Sequence, residues 1–147
     1  MSVKSEIENK VSELLRENLT LRHQLEEVKN SQDRRVDEIF CEFLTVVDAF
    51  ERAESVIKER GLDEDEAAKK AINRILNAKK KTLFVLEKFD VKRVEFENNK
   101  SVVERCVVTD TEPDSSRETG DIVSIEKQGY TRQGHLIRPA EVIIVKN

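Results

Sequence analysis

Aromatic side chains are scarce in this chain: six Phe, one Tyr and no Trp make up 5% of 147 residues. Turn formers are scarcer still, with four Gly and two Pro. A compact domain of this length normally buries more aromatic surface and breaks its chain more often. Long helices with a narrow apolar stripe need neither, so the composition favours a helical rod with a small module attached. An excess of positive charge is also missing. The net charge is -4 and the pI about 5.4, which excludes a general bias toward nucleic acid or an anionic membrane surface. No apolar run approaches the roughly 20 residues of a membrane span. The opening Met1-Ser2-Val3-Lys4-Ser5-Glu6 runs straight into charged helix without the apolar core of a secretory signal, so a cytoplasmic location is expected.

Cysteine is limited to Cys41 and Cys106, far apart and in different expected elements. In a reducing compartment both read as small buried apolar residues rather than a disulfide or a metal pair. There is no P-loop, no Ser-His-Asp set and no Cys/His spacing suited to a metal, so neither enzymatic activity nor a cofactor is expected.

What is abundant is charge, 38% of the chain, arranged around a strict 4-3 apolar repeat. One row holds Lys4, Val11, Asn18, Leu25, Gln32 and Ile39; the other holds Ile7, Leu14, Leu21, Val28 and Arg35. With the first row at a and the second at d, aliphatic residues fill four of the five d positions. A single Asn18 on the a row finds its hydrogen-bond partner only in its own copy across a parallel pair. The expected rod, residues 1–35, is therefore a parallel homodimeric coiled coil of roughly 50 Å. Its dimerisation residues are Ile7, Val11, Leu14, Asn18, Leu21, Leu25 and Val28. The seam weakens at Gln32 and Arg35. His23 lies outside both rows and reads as an exposed helix residue.

From Val36 the stripe broadens through Ile39, Phe40, Phe43, Leu44, Val47, Phe50 and Ile57. That width requires more than one neighbouring helix. No breaker separates this stretch from the rod, so one helix is expected to continue to about Arg60, with Gly61 as its C′ stop. Asp63 is the expected N-cap of a second helix, with Glu66 completing a capping box. Residues 36–89 thus form a helical hairpin, and two hairpins make a dimeric four-helix bundle in which Phe40, Phe43, Val47 and Phe50 contribute to dimerisation. Lys79-Lys80-Lys81 reads as a solvated face.

After Phe89 the apolar period shortens to about two. Strand signals at Val91–Phe96, Val102–Val108, Ile122–Ile125 and Glu141–Val145 alternate with turn signals at Glu112-Pro113-Asp114 and Thr119-Gly120-Asp121. Residues 90–147 are expected as a small, mostly antiparallel β wing, too small to be stable alone. The fold class is α+β.

The closing segment carries the most specific pattern. Gly129-Tyr130 and, after a short hairpin, Leu136-Ile137-Arg138-Pro139-Ala140-Glu141-Val142 resemble the end of the GrpE family, nucleotide exchange factors of DnaK-type chaperones. Phe43-Leu44-Thr45-Val46-Val47-Asp48-Ala49-Phe50-Glu51-Arg52-Ala53 resembles the family's apolar run, Asp, then Arg-Ala. The order of rod, Gly-broken hairpin and β wing agrees over nearly the whole chain. The chain departs from the pattern where the family has Asp-Pro and His-Glu-Ala, which are replaced by Asn98-Asn99-Lys100 and Val102-Val103-Glu104. It departs again at Arg132, where a leucine is common.

The resemblance implies a homodimeric co-chaperone with no catalytic residues, binding the ATPase domain of a DnaK-type chaperone and promoting ADP release. On that reading Arg138, Pro139, Ala140, Val142 and Tyr130 of the wing, with Arg52 and Val56 of the helix, are the chaperone-binding residues. Arg138 is the polar anchor among them. No nucleic acid or membrane partner is expected. The alternative is a coiled-coil adaptor that bridges two proteins without any effect on nucleotide release.

Overall fold

The computed structural model describes residues 2–147. The chain forms two compact units, Met1–Glu38 and Ile39–Asn147. Helix α1 (Val3–Arg60) begins in the first and ends in the second, as the lack of any breaker between rod and hairpin led us to expect.

Among the described residues of the first unit there is helix and no other regular element. Apart from Ser5 and Asp37, residues 2–38 are exposed. The 4-3 rows are no exception: Ile7, Val11, Leu14, Leu21, Leu25 and Val28 are 49–69% exposed. The unit has no interior of its own.

In the second unit α1 stops as Gly61 predicts. Gly61 sits at φ +60°, its N–H donates to the Lys58 carbonyl at 3.4 Å, and the Leu62 N–H donates to Ile57 at 3.1 Å. This is the Schellman pairing, whose C′ residue must occupy the left-handed region. Helix α2 (Glu66–Lys88) follows. Its N-cap is Asp65, not Asp63: the Asp65 carboxylate accepts from the Ala68 N–H at 3.2 Å. The Schellman turn takes up the residues just after Gly61, so the helix starts later and the next aspartate caps it. Glu66 is then the first helical residue, out of place for a capping box.

Six strands follow: β1 (Val91–Arg93), β2 (Cys106–Glu112), β3 (Ile122–Lys127), β4 (Tyr130–Arg132), β5 (His135–Arg138) and β6 (Ala140–Val145). They form two three-stranded sheets, ordered β1-β4-β5 and β2-β6-β3. The β1–β4, β4–β5 and β3–β6 pairings are antiparallel and β2–β6 is parallel, so the wing is mostly antiparallel and the fold class is α+β. The stretch Val102–Arg105 is a turn rather than strand. The Val102 carbonyl accepts from the Arg105 and Cys106 amides at 2.9 and 3.2 Å, which delays β2 until Cys106.

Each sheet has its own apolar centre. Leu44 and Val47 of α1, Leu86 of α2, Val91 of β1 and Tyr130 of β4 are at most 3% exposed and pack together, with Phe40, Leu83 and Ile137 against them. Cys106, Ile122, Ala140 and Val142 form the second centre, with Phe96 and Ile144 beside it. Burying a leucine- or valine-sized side chain stabilises by about 1.5–3 kcal/mol. The first cluster therefore fastens the β1-β4-β5 sheet to the helices, and the hairpin and wing share one compact unit.

Candidate functional site

The face that unites both sequence signatures starts with a ladder of carboxylates on α1. Asp48, Glu51 and Glu54 are spaced i, i+3, i+6 and so lie on one side of the helix, where like charges oppose each other. Each is met by a cation from a different element. Arg138 of β5 grips Asp48 with two parallel bonds, Nη1 to Oδ2 at 2.7 Å and Nη2 to Oδ1 at 2.8 Å. Arg93 of β1 bonds Glu51. Lys79 of α2 bonds Glu54 at 2.7 Å and lies 3.9 Å from Glu51.

The Asp48–Arg138 rung is the most enclosed, with side chains 14% and 12% exposed. The guanidinium also donates to the Gln128 carbonyl, from Nε at 3.0 Å and Nη2 at 2.6 Å, and lies 5.2 Å from the Tyr130 ring centroid. Forked Arg–carboxylate bonding at these distances is a strong polar contact. Tyr130 completes the network by accepting from Arg93 Nε at 3.4 Å. Burial raises the Tyr130 phenol above its ordinary range, which keeps the hydroxyl neutral.

The expected contact residues divide sharply on this geometry. Arg138 is an internal brace rather than an exposed anchor, because Asp48 and Gln128 occupy its donors. Ala140 and Val142 are fully buried and Tyr130 is 1% exposed, so none offers surface to a partner. The reason is sheet order. Ala140 and Val142 lie on β6 and Tyr130 on β4, each the middle strand of its sheet. Pro139 is half-buried. Arg52 and Val56 are exposed on α1, and Arg52 makes no ion pair among the described residues.

Of the residues expected at the dimer interface, the rod positions and Asn18 are exposed, and Phe43 is 55% exposed. Phe40 and Phe50 are half-buried, with the Phe40 ring 5.7 Å from that of Phe89 in the same protomer. Val47, at 0% exposure, packs in the core of the single protomer. Gly129 has a steric role. A Cβ there would sit 2.5 Å from the Ala140 backbone nitrogen, so only glycine allows this close approach to β6.

Beside the ladder lies a cleft of about 770 Å³. Thr45, Asp48, Glu51, Arg52, Ser55 and Glu59 of α1 form one wall, and Ile125, Glu126 and Lys127 of β3 with Glu141 of β6 form the other. Asp48 and Glu51 are occupied by arginines, which leaves Arg52, Glu59, Glu126, Lys127 and Glu141 around the opening. Reading the residues alone missed this cleft and the carboxylate ladder. The signal was present: three carboxylates at i, i+3, i+6 inside an apolar stretch need cations from elsewhere in the fold.

The ladder gives a pH dependence. The bonded Lys79 ammonium holds the Glu54 carboxyl below the usual carboxylate range. A lowered folded pKa adds stability above the unfolded value of about 4.3 and loses it as pH falls through the folded value. Lys79→Met should therefore cost about 1 kcal/mol near neutrality. Urea titrations of both proteins should converge as the pH drops below about 4. A difference that persists in acid would assign Lys79's effect to packing of its stem.

Among the described residues, no His, Cys, Asp and Glu side chains cluster as a metal ion requires, and no helix is long and apolar enough to cross a membrane. Cys41 donates from Sγ to the Ile137 carbonyl at 3.3 Å. Comparison with known proteins agrees with the two signatures that meet at Asp48 and Arg138. The chain is 27% identical over 127 residues to the GrpE protein homolog, mitochondrial, of Neurospora crassa, an alignment covering 82% of this chain and 53% of that protein. The chain thus spans about half the length of the curated relative it matches. The GrpE family model matches residues 2–146, and the chain belongs to the GrpE family.

Proposed function

We propose that this chain is a homodimeric co-chaperone that binds the nucleotide domain of a DnaK-type ATPase and accelerates ADP release by stabilising its open form. Family membership over residues 2–146 is the observation that carries the reading. An exchange factor needs no catalytic group. It must bind the open nucleotide domain more tightly than the closed one, and nucleotide affinity falls by the same factor through linkage. A hundredfold preference corresponds to about 2.7 kcal/mol of differential binding, within reach of a handful of contacts.

The contact surface is the α1 wall of the cleft and the wing edge opposite. Arg52 is its cation, exposed and without an ion pair among the described residues, and Val56 at 36% exposure lies one turn further along α1. Pro139 stiffens the step from β5 to β6. Arg138, Tyr130, Ala140 and Val142 act from beneath, fixing the wing against α1. Dimerisation rests on the uncovered 4-3 rows of the rod and on Phe43 and its exposed apolar neighbours of the hairpin.

Stopped-flow release of labelled ADP from the host's DnaK-type ATPase tests the reading. The protein should speed release, and Arg52→Glu should reduce the stimulation by about tenfold or more, as loss of an interface arginine does. Helicity and sedimentation should not change in that variant. Release that is not accelerated by the unmodified protein would instead favour the adaptor role.

A further inference from the structure

Helix α2 is basic on its outer side. From Ala67 to Leu86 it carries Lys69, Lys70, Arg74, Lys79, Lys80 and Lys81 and no carboxylate, in a chain of net charge -4. At about 100° per residue, Lys70, Arg74, Asn77, Lys81, Phe84 and Lys88 fall in one row. The row runs most of the length of α2, roughly 27 Å at 1.5 Å per residue. All six side chains are exposed, Phe84 at 59%. Beyond the row, Ile75, Val85 and Phe89 are 48–57% exposed and form the apolar stripe available to a second protomer.

The carboxylates around α2 leave this row positive. Lys79, which takes Glu51 and Glu54 of α1, lies about 140–180° round the helix from the row. That is the side on which Ile72, Leu83 and Leu86 turn inward. The carboxylates of α2 itself are Glu66 and Glu87. Glu66 stands one turn before Lys70 and offsets that lysine alone. Glu87 lies about 100° round from Lys70 and Lys88, toward β1, in the groove with Lys92 and Glu95. Among the described residues Lys70, Arg74 and Lys81 make no ion pair, and Lys88 Nζ lies 4.9 Å from the Phe84 ring centroid. Four cations face one carboxylate.

Three features select the anion. Lysine is depleted at contacts between proteins, yet three of the row's four cations are lysines, with Lys69 and Lys80 on its flank. A helix that lies on a membrane inserts the apolar face opposite its cations, and that face of α2 packs inside the hairpin. Asn77 and Phe84 stand between the cations, where an amide can meet a base edge and an exposed ring can stack on an unpaired base. We propose that the outer face of α2 binds single-stranded nucleic acid, with phosphates along Lys70, Arg74, Lys81 and Lys88 and a base on Phe84. The net charge argues against a general affinity for nucleic acid, but it averages over this face. The face lies on α2, whereas the proposed exchange surface uses α1, β3 and β6, so either reading can fail without the other.

Fluorescein-labelled oligouridylate and oligothymidylate of about twelve nucleotides are the probes, titrated into the full chain and followed by anisotropy at several salt concentrations. Saturable binding is expected, with log Kd rising against log salt at a slope of about 3, from four phosphate contacts at roughly 0.7 each. Arg74→Gln with Lys81→Gln should lower the slope to about 1.4. Phe84→Leu should weaken binding by about fivefold or more and Phe84→Trp should not, because stacking needs a ring rather than an apolar group. These side chains are exposed, so the variants should keep their helicity and urea midpoint. Tighter binding of the uridylate would assign the site to RNA through its 2′-hydroxyls, and equal binding to either kind of strand. No saturable binding, a slope unchanged by the double substitution, or equal binding by Phe84→Leu would each overturn the proposal. So would binding to phosphatidylserine vesicles in place of the oligonucleotides. Weaker self-association of the double variant in sedimentation would also overturn it, because the row would then face a second copy.

Discussion

Arg138→Ala should destabilise the protein by about 3–5 kcal/mol, the cost of leaving one member of an enclosed ion pair without its partner. Asp48 would keep its charge at 14% exposure with no cation, and the Gln128 carbonyl would lose its donors. Asp48→Ala should cost a similar amount from the other side. Replacing both, as Asp48→Leu with Arg138→Met, should recover most of the loss, because an apolar pair of similar volume is often as stable as the ion pair it replaces. Urea unfolding at one fixed protomer concentration measures all three, since the stability of the proposed dimer would depend on concentration. A loss below about 1 kcal/mol for Arg138→Ala would mark the guanidinium as an exposed group. The double variant also separates structure from contact: if Arg138 acts only as a brace, the variant still accelerates ADP release; if Arg138 touches the chaperone, acceleration is lost while the fold is kept.

That experiment bears on the point where the sequence was misleading. The motif containing Arg138, Pro139 and Ala140 was legible, and so was the helix motif containing Asp48. What residue order does not carry is that the two motifs are partners, 90 positions apart, so that a recognisable arginine is directed inward. Burial of Ala140, Val142 and Tyr130 depends on which strands are central, and period-2 patterning identifies a strand without identifying its neighbours. A central strand and an edge strand of a small wing read alike.

Where signals are local the outcome is different. The long α1, the Gly61 stop, and the last strand at Ala140–Val145 follow from helix periodicity, a C′ glycine and a β-branched run. The shift of the N-cap from Asp63 to Asp65 shows the limit of local reading: two aspartates compete, and the turn geometry before them decides. Val47, which packs in the protomer's core, shows the same limit. On a helix with a broad stripe, the sequence does not say which apolar residues face the protomer and which face outward.

The rod sets the last test, because the apolar residues of its 4-3 rows are uncovered in the protomer. Helices in proteins draw most of their stability from packing an apolar face, and an uncovered apolar stripe marks an interaction site. Leu14→Asp combined with Leu21→Asp puts two carboxylates per protomer into the proposed seam, on either side of Asn18. Losing two buried leucines alone costs at least about 4 kcal/mol, which is close to a thousandfold in the dimer dissociation constant. Sedimentation should therefore show dissociation at concentrations where the unmodified protein is dimeric, with loss of rod helicity. The unit Ile39–Asn147 should remain folded, since Leu44, Val47, Leu86, Val91 and Tyr130 close its core within one protomer. Unchanged association and helicity would move the dimer contact to the exposed hairpin stripe of Phe43, Ile75, Val85 and Phe89. A cysteine at position 7 gives the direction of the pair, because two d positions approach each other across a parallel, in-register seam and lie far apart in an antiparallel one.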